Sequence, residues 1–107
     1  MKRLAETLTR LQATIESRAG ADPAGSYTAK LLADPALAAK KLGEEAIETV
    51  IAATQADRDA VAAESADLLY HWLVLLQASG VSPDAVAEKL EAREGRSGLD
   101  EKASRPK

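Results

Sequence analysis

Two acidic clusters, Glu44-Glu45-x-x-Glu48 and Glu64-x-x-Asp67, occupy mirror-image positions in this chain, and few architectures accommodate them. Fifteen residues separate Glu48 from Glu64, and they read as the end of one helix, a turn and the start of another. If the chain reverses near Ala56, Glu48 and Glu64 each stand eight residues from the turn, and Glu45 and Asp67 each stand eleven. An antiparallel helix pair then brings these four carboxylates to matching heights, roughly 12 to 16 Å from the turn at the usual rise per residue. Helical phase agrees. Glu45 and Glu48 are i,i+3 neighbours, Glu44 and Glu48 are i,i+4, and the three fall within an arc of about 100°. Glu64 and Asp67 share a face in the same way, with His71 between them in angle. Negative charges grouped in a partly dry helix pair repel and need protons or cations. A divalent metal meets that need.

The rest of the chain is patterned to build such a pair. Ala, Leu, Glu and Lys are abundant, Phe is absent, and no window shows the Val/Ile/Tyr alternation of strands. A chain of 107 residues holds one domain. The expected fold is all-α, a helical bundle of four to five helices per subunit. Leu4, Leu8, Leu11 and Ile15 form the stripe of a first helix ending before Gly20. Ser26 caps a short second helix through Leu32. Asp34-Pro35, an N-cap followed by proline at the first helical position, opens a long helix to about Thr54. Its buried stripe is expected to be Leu42, Ala46, Ile47, Val50 and Ile51, beside the glutamate face. Asp57 caps the next helix, which runs to about Ser79 and stops at Gly80. From Leu68 to Leu76 that helix is apolar on nearly every face, more than a surface helix of a monomer can hide. A second copy is expected to cover it, so that homodimerisation completes the bundle. Ser82-Pro83 starts a last helix with Val86 and Leu90, ending near Glu94-Gly95. Residues 1–95 form the expected domain, and residues 96–107 a basic, flexible tail.

Several function classes drop out. Cysteine is absent, which removes disulfides, thiolate zinc sites and cysteine nucleophiles, and fits a reducing cytoplasm. The N-terminus has no apolar core or small-residue cleavage site of a signal peptide, and no apolar run approaches the roughly 20 residues of a membrane span. A net charge of −3 argues against general nucleic-acid binding but leaves a phosphorylated small molecule open.

All-oxygen coordination by Asp and Glu suits magnesium or manganese, whereas zinc, copper and iron sites usually recruit histidine or cysteine. Such a metal bridges phosphate oxygens and lowers the pKa of a bound water, and a surplus carboxylate can orient or deprotonate that water. The reaction class this implies is phosphoanhydride hydrolysis. No Walker-type glycine loop accompanies the carboxylates, so isolated basic side chains must hold the phosphates. Lys40 and Lys41 precede Glu44 by about one turn, Lys30 sits on the short helix, and Arg93, Arg96 and Lys102 follow the last helix. Spacing does not choose among them.

The pattern E-E-x-x-E followed by E-x-x-D resembles that of the all-α nucleoside triphosphate pyrophosphohydrolases, the MazG-like superfamily. Four segments narrow the likeness to phosphoribosyl-ATP pyrophosphohydrolases: Ser26 to Leu32, Lys41 to Ala46, Asp67 to His71, and Gly95 to Leu99 with Glu101-Lys102. Together the likeness covers nearly the whole chain. It implies a homodimer of helical subunits that hydrolyses phosphoribosyl-ATP to phosphoribosyl-AMP and pyrophosphate in histidine biosynthesis, in the cytoplasm and with magnesium. It implies Glu45, Glu48, Glu64 and Asp67 as metal ligands and Glu44 as the water-orienting or auxiliary acid. It also raises Arg96 and Lys102 as phosphate contacts. With no cysteine for a fused cyclohydrolase's zinc, the likeness is to the stand-alone form. Glu94 and Trp72 depart from the family pattern, which more often has histidine and leucine there.

Plainer readings stand beside these. The acidic clusters can be a solvated face paired with Lys40 and Lys41. His71 reads first as a partly buried histidine hydrogen-bonded to Asp67, Tyr27 as packing or as a platform for adenine, and Trp72 as core or interface. Two other functions compete: a house-cleaning hydrolase of ordinary or damaged nucleoside triphosphates, and a non-enzymatic helical dimerisation module.

Overall fold

Helix starts in this chain are set by side chains that accept an otherwise orphaned backbone N–H. The structure, a computed structural model, describes residues 1–95, and five helices account for most of them. These are α1 (Lys2–Ser17), α2 (Tyr27–Leu32), α3 (Pro35–Thr54), α4 (Arg58–Ala78) and α5 (Pro83–Glu91). Ser26 Oγ accepts from the Ala29 N–H at 3.1 Å, and Asp34 Oδ1 accepts from Leu37 at 3.2 Å. Asp57 Oδ1 accepts from Ala60 at 3.0 Å, and Ser82 Oγ accepts from Ala85 at 3.2 Å. All four caps fall where the sequence places them. The last helix stops at Glu91, short of the expected Glu94-Gly95, and a turn carries the chain to Gly95. The expected tail, 96–107, lies outside the described residues, and Arg96 and Lys102 lie there with it.

The α3–α4 reversal occurs at Ala56, as the mirror symmetry requires. Ala56 adopts φ 55°, and its N–H donates to the Ala53 carbonyl while the Asp57 N–H reaches back to Ala52 at 3.2 Å. This paired bonding is the Schellman ending, in which the left-handed residue is usually glycine. The end of α4 shows the usual version: Gly80 takes φ 69°, and the Val81 N–H donates to Leu76 at 2.9 Å. Ala56 thus fills a glycine's position.

Helix α4 is the hub. It pairs along its length with α3, and α1 and α2 pack on its C-terminal half. The core lies there: Ile15, Leu31, Ala38, Leu73 and Val74 are buried, ringed by Leu8, Leu11, Leu32, Leu37, Tyr70, Trp72 and Leu75. Thr28 and Tyr70 bridge α2 to α4 through a 2.6 Å hydroxyl pair. Nearer the turn the α3–α4 pair extends past this core as a two-helix arm, with Ala52 its buried residue. No helix among the described residues is long and apolar enough to cross a membrane.

Two expectations about apolar surface change. Leu68 to Leu76 is largely covered by the chain's own helices, because it lies where α1, α2 and α3 converge; every residue in it is buried or half-buried. The exposed apolar side chains are on α3 instead. Ile47, Val50 and Ile51, expected in the buried stripe, are 63%, 61% and 48% exposed. α3 lies against α4 on the side carrying Ala38, Glu45 and Ala52, which turns these three away from the subunit.

An Ala56→Gly variant should be more stable by about 0.5 kcal/mol, since relief of left-handed strain of about 1–2 kcal/mol exceeds the entropic cost of glycine. Thermal unfolding should show a rise of a few degrees, and a fall would mean the turn is unstrained.

Candidate functional site

Glu45 and Glu48 project from α3 and Glu64 from α4, and one carboxylate oxygen from each lies within 4.8 Å of the other two. The arm positions them. Each helix presents an acidic face, and the turn at Ala56 sets the two faces at one height. Glu45 and Glu64 are half-buried and Glu48 is exposed. One oxygen of Glu45 and one of Glu64, both Oε2, are closed to solvent without a hydrogen-bond partner.

The electrostatics are those of like charges held together. The Glu48 carboxylate beside it, with burial and Glu45 adding, pushes the Glu64 carboxyl up to about 7. Burial, then Glu48 and Asp67, pushes Glu45 up as well, while a hydrogen bond from Glu64 pulls it back in part. Protonation of Glu64 is one way to relieve the repulsion, and a divalent cation is the other. Orphaned buried oxygens and an all-oxygen donor set fit magnesium or manganese. Glu45, Glu48 and Glu64 could hold such an ion.

The other candidates are placed differently. Asp67 faces solvent and falls outside the three-carboxylate group, its side chain being one methylene shorter than glutamate. It still reaches Glu45 electrostatically. Glu44 pairs with Lys41 at 3.3 Å, as the plainer reading of the acidic face anticipates, and the bond raises the Lys41 amine. Lys30 is exposed on α2 and lines a groove of about 640 Å³ with Pro23, Ala24, Gly25, Ser26 and Tyr27. Arg93 is exposed in the turn after α5. A smaller cleft of about 210 Å³ runs from Glu48 and Glu64 towards the turn, lined by Ile51, Ala52, Gln55 and Ala60. Gln55 carries no sequence signal for such a place beyond its position at the end of α3. His71 bonds Asp67 as expected, through the main-chain carbonyl, with Nδ1 at 2.8 Å.

The family model for phosphoribosyl-ATP pyrophosphohydrolase matches residues 8–94, which span both acidic clusters. The chain belongs to the phosphoribosyl-ATP pyrophosphohydrolase family. It is 75% identical over 104 residues to the phosphoribosyl-ATP pyrophosphatase of Caulobacter vibrioides, with 97% of each chain covered. The phosphoribosyl-ATP pyrophosphatase of Caulobacter sp. strain K31 is 73% identical over 106 residues, covering 99% of both chains. That of Parvibaculum lavamentivorans is 61% identical over 102 residues, covering 94% of each. The matched span for phosphoribosyl-ATP pyrophosphohydrolase takes in every candidate residue except Arg96 and Lys102.

The raised Glu64 carboxyl fixes the sign of a pH effect. Because its folded pKa of about 7 exceeds the ordinary 4.5, the native state holds a proton that the unfolded chain has released between those values. Metal-free protein should lose stability as pH rises from about 5 through about 7, and magnesium should restore more at pH 8 than at pH 5. Melting temperature against pH, with and without magnesium, reads this out. A stability that climbs over that range would contradict the repulsive cluster.

Proposed function

We propose that the chain hydrolyses phosphoribosyl-ATP to phosphoribosyl-AMP and pyrophosphate in histidine biosynthesis, as a cytoplasmic magnesium-dependent homodimer. The observation that carries this reading is the Glu45–Glu48–Glu64 group with its orphaned oxygens, in a member of this family. Glu45, Glu48 and Glu64 would hold the ion, with Asp67 completing the set. When bound, magnesium supplies charge neutralisation on the triphosphate and acidifies a water.

Water adds to the phosphorus that joins the nucleoside to the pyrophosphate. The phosphoanhydride P–O bond breaks, its electron pair leaves with pyrophosphate, and the water's oxygen stays on phosphoribosyl-AMP. Glu44, one residue before Glu45 and outside the three-carboxylate group, is assigned the task of orienting the water and taking its proton, the role the family likeness implies for it. Its pairing with Lys41 holds it in place and brings a cation towards the phosphates. Lys30 and Arg93 supply further positive charge from α2 and from the turn after α5, and Arg96 and Lys102 are assigned the same task.

The second copy is placed on the exposed face of α3. Ile47, Val50 and Ile51 make a continuous apolar strip on one face, of the kind buried in subunit interfaces. Ile51 also lines the cleft beside Glu48 and Glu64, so the interface would border the carboxylates.

Purified protein should release pyrophosphate from phosphoribosyl-ATP with magnesium and not with chelator, in preference to ordinary nucleoside triphosphates. Glu48→Gln should lower turnover by about a hundredfold or more at unchanged helicity, as expected for loss of a group that stabilises charge in the transition state. Turnover of ordinary triphosphates alone would instead favour a house-cleaning role. Val50→Lys should convert the dimer to a monomer by light scattering, and an unchanged mass would move the interface off α3.

A further inference from the structure

His71 is the one buried polar side chain among the described residues, 7% exposed, and half of its hydrogen-bonding capacity is unused. Nδ1 lies 2.8 Å from the Asp67 carbonyl, which can only accept, so Nδ1 carries the proton. In the neutral ring, Nε2 is then a lone-pair acceptor. It is closed to solvent and has no partner. An unmet buried acceptor is destabilising, so a phenylalanine would serve packing at least as well. What Nε2 lacks is a donor. Phosphate oxygens would be repelled by the lone pair, and a ligand met there must bring an N–H or an O–H.

Position says which part of a ligand arrives. His71 is seven residues beyond Glu64 on α4, nearly the same face and about 10 Å further from the turn. Across the hairpin, Lys41 stands fifteen residues from Ala56 on one side and His71 fifteen on the other. If the carboxylates hold phosphates, the group at His71 is what the phosphate chain is attached to.

Tyr27 supplies the second wall. Its ring meets His71 edge-on with centroids 6.3 Å apart, and its hydroxyl lies within electrostatic reach of Lys41. Tyr70 flanks His71 on another side, at 4.9 Å, and is tied to Thr28. Tyr27 is the freer ring, 51% exposed on a six-residue helix and lining the groove that also holds Lys30. The groove thus joins an aromatic face and a cation, and its Tyr27 ring borders the imidazole that carries the hidden acceptor.

We propose that Tyr27 and His71 form the subsite for the nucleoside end of the substrate, with Nε2 accepting a hydrogen bond from an N–H or O–H of the base or ribose. This rests on the phosphoribosyl-ATP reading above and assigns the end of that substrate remote from the metal. Entry displaces the Tyr27 ring, which then stacks on the base and keeps water from the hydrogen bond. Lys30 brings positive charge to an end that carries its own phosphate on the phosphoribosyl group.

The two products separate the two ends, so the test is calorimetric binding of phosphoribosyl-AMP and of pyrophosphate, each with magnesium, to the full chain. His71→Phe should weaken phosphoribosyl-AMP about tenfold, the loss of one well-formed hydrogen bond, and leave pyrophosphate within about twofold. Its melting temperature should hold or rise. His71→Gln, which keeps an acceptor near Nε2, should recover most of the affinity. Tyr27→Ala changes an exposed residue and should show the same one-sided loss even if His71→Phe folds poorly. Unchanged phosphoribosyl-AMP binding in both variants, or equal loss of both products, overturns the subsite. Wild-type protein that neither binds phosphoribosyl-AMP nor turns over phosphoribosyl-ATP overturns the functional reading, and the subsite with it.

Discussion

Everything distinctive about this molecule depends on holding three carboxylates closer together than they would choose to be. Glu45, Glu48 and Glu64 offer oxygens within 4.8 Å of one another, and one consequence is a Glu64 carboxyl pushed to about 7. Two unit charges at such a separation repel by about 1 kcal/mol in bulk water and by several-fold more beside a protein surface. The helix pair has to absorb that. It does so with the α3–α4 contact, the capped start at Asp57 and the doubly bonded turn at Ala56. The cluster also stays out of the core, where the same charges would be costlier to desolvate.

Much of this was legible because the rules involved are local. Ser26, Asp34, Asp57 and Ser82 each act on a backbone N–H three residues ahead, so the sequence alone locates four helix starts. The mirrored acids needed only counting from a turn, and the Lys41–Glu44 pair is an i,i+3 neighbour relation. Periodicity was less informative about burial. It shows that Ile47, Val50 and Ile51 share a face of α3 but not whether another helix covers that face, and in the subunit none does. The Leu68 to Leu76 segment misled in the opposite direction, since three helices converging on it cannot be seen from its own composition.

The site divides along the same line. Glu45, Glu48 and Glu64 were found from spacing, whereas spacing does not show that Asp67, an i,i+3 neighbour of Glu64, lies exposed outside their group. The Thr28–Tyr70 hydroxyl pair joins residues 42 apart, and no local rule anticipates it. His71 shows both sides of the matter. Its bond to Asp67 follows from an i,i+4 relation, but the burial of its ring depends on α2 packing over α4 with Tyr27 against His71.

The separation between the core and the arm has a consequence for how the molecule breathes. The buried side chains gather where α1 and α2 cross α4, and the arm carrying the carboxylates has Ala52 as its buried residue. Segments with so little apolar anchorage open at lower free energy than the body they belong to. The acidic end of the hairpin is thus the soft end of the subunit, prone to transient fraying that leaves the hub intact. Any cation or second copy that grips both helices there would act as a splint, so catalytic assembly and local rigidity would rise together.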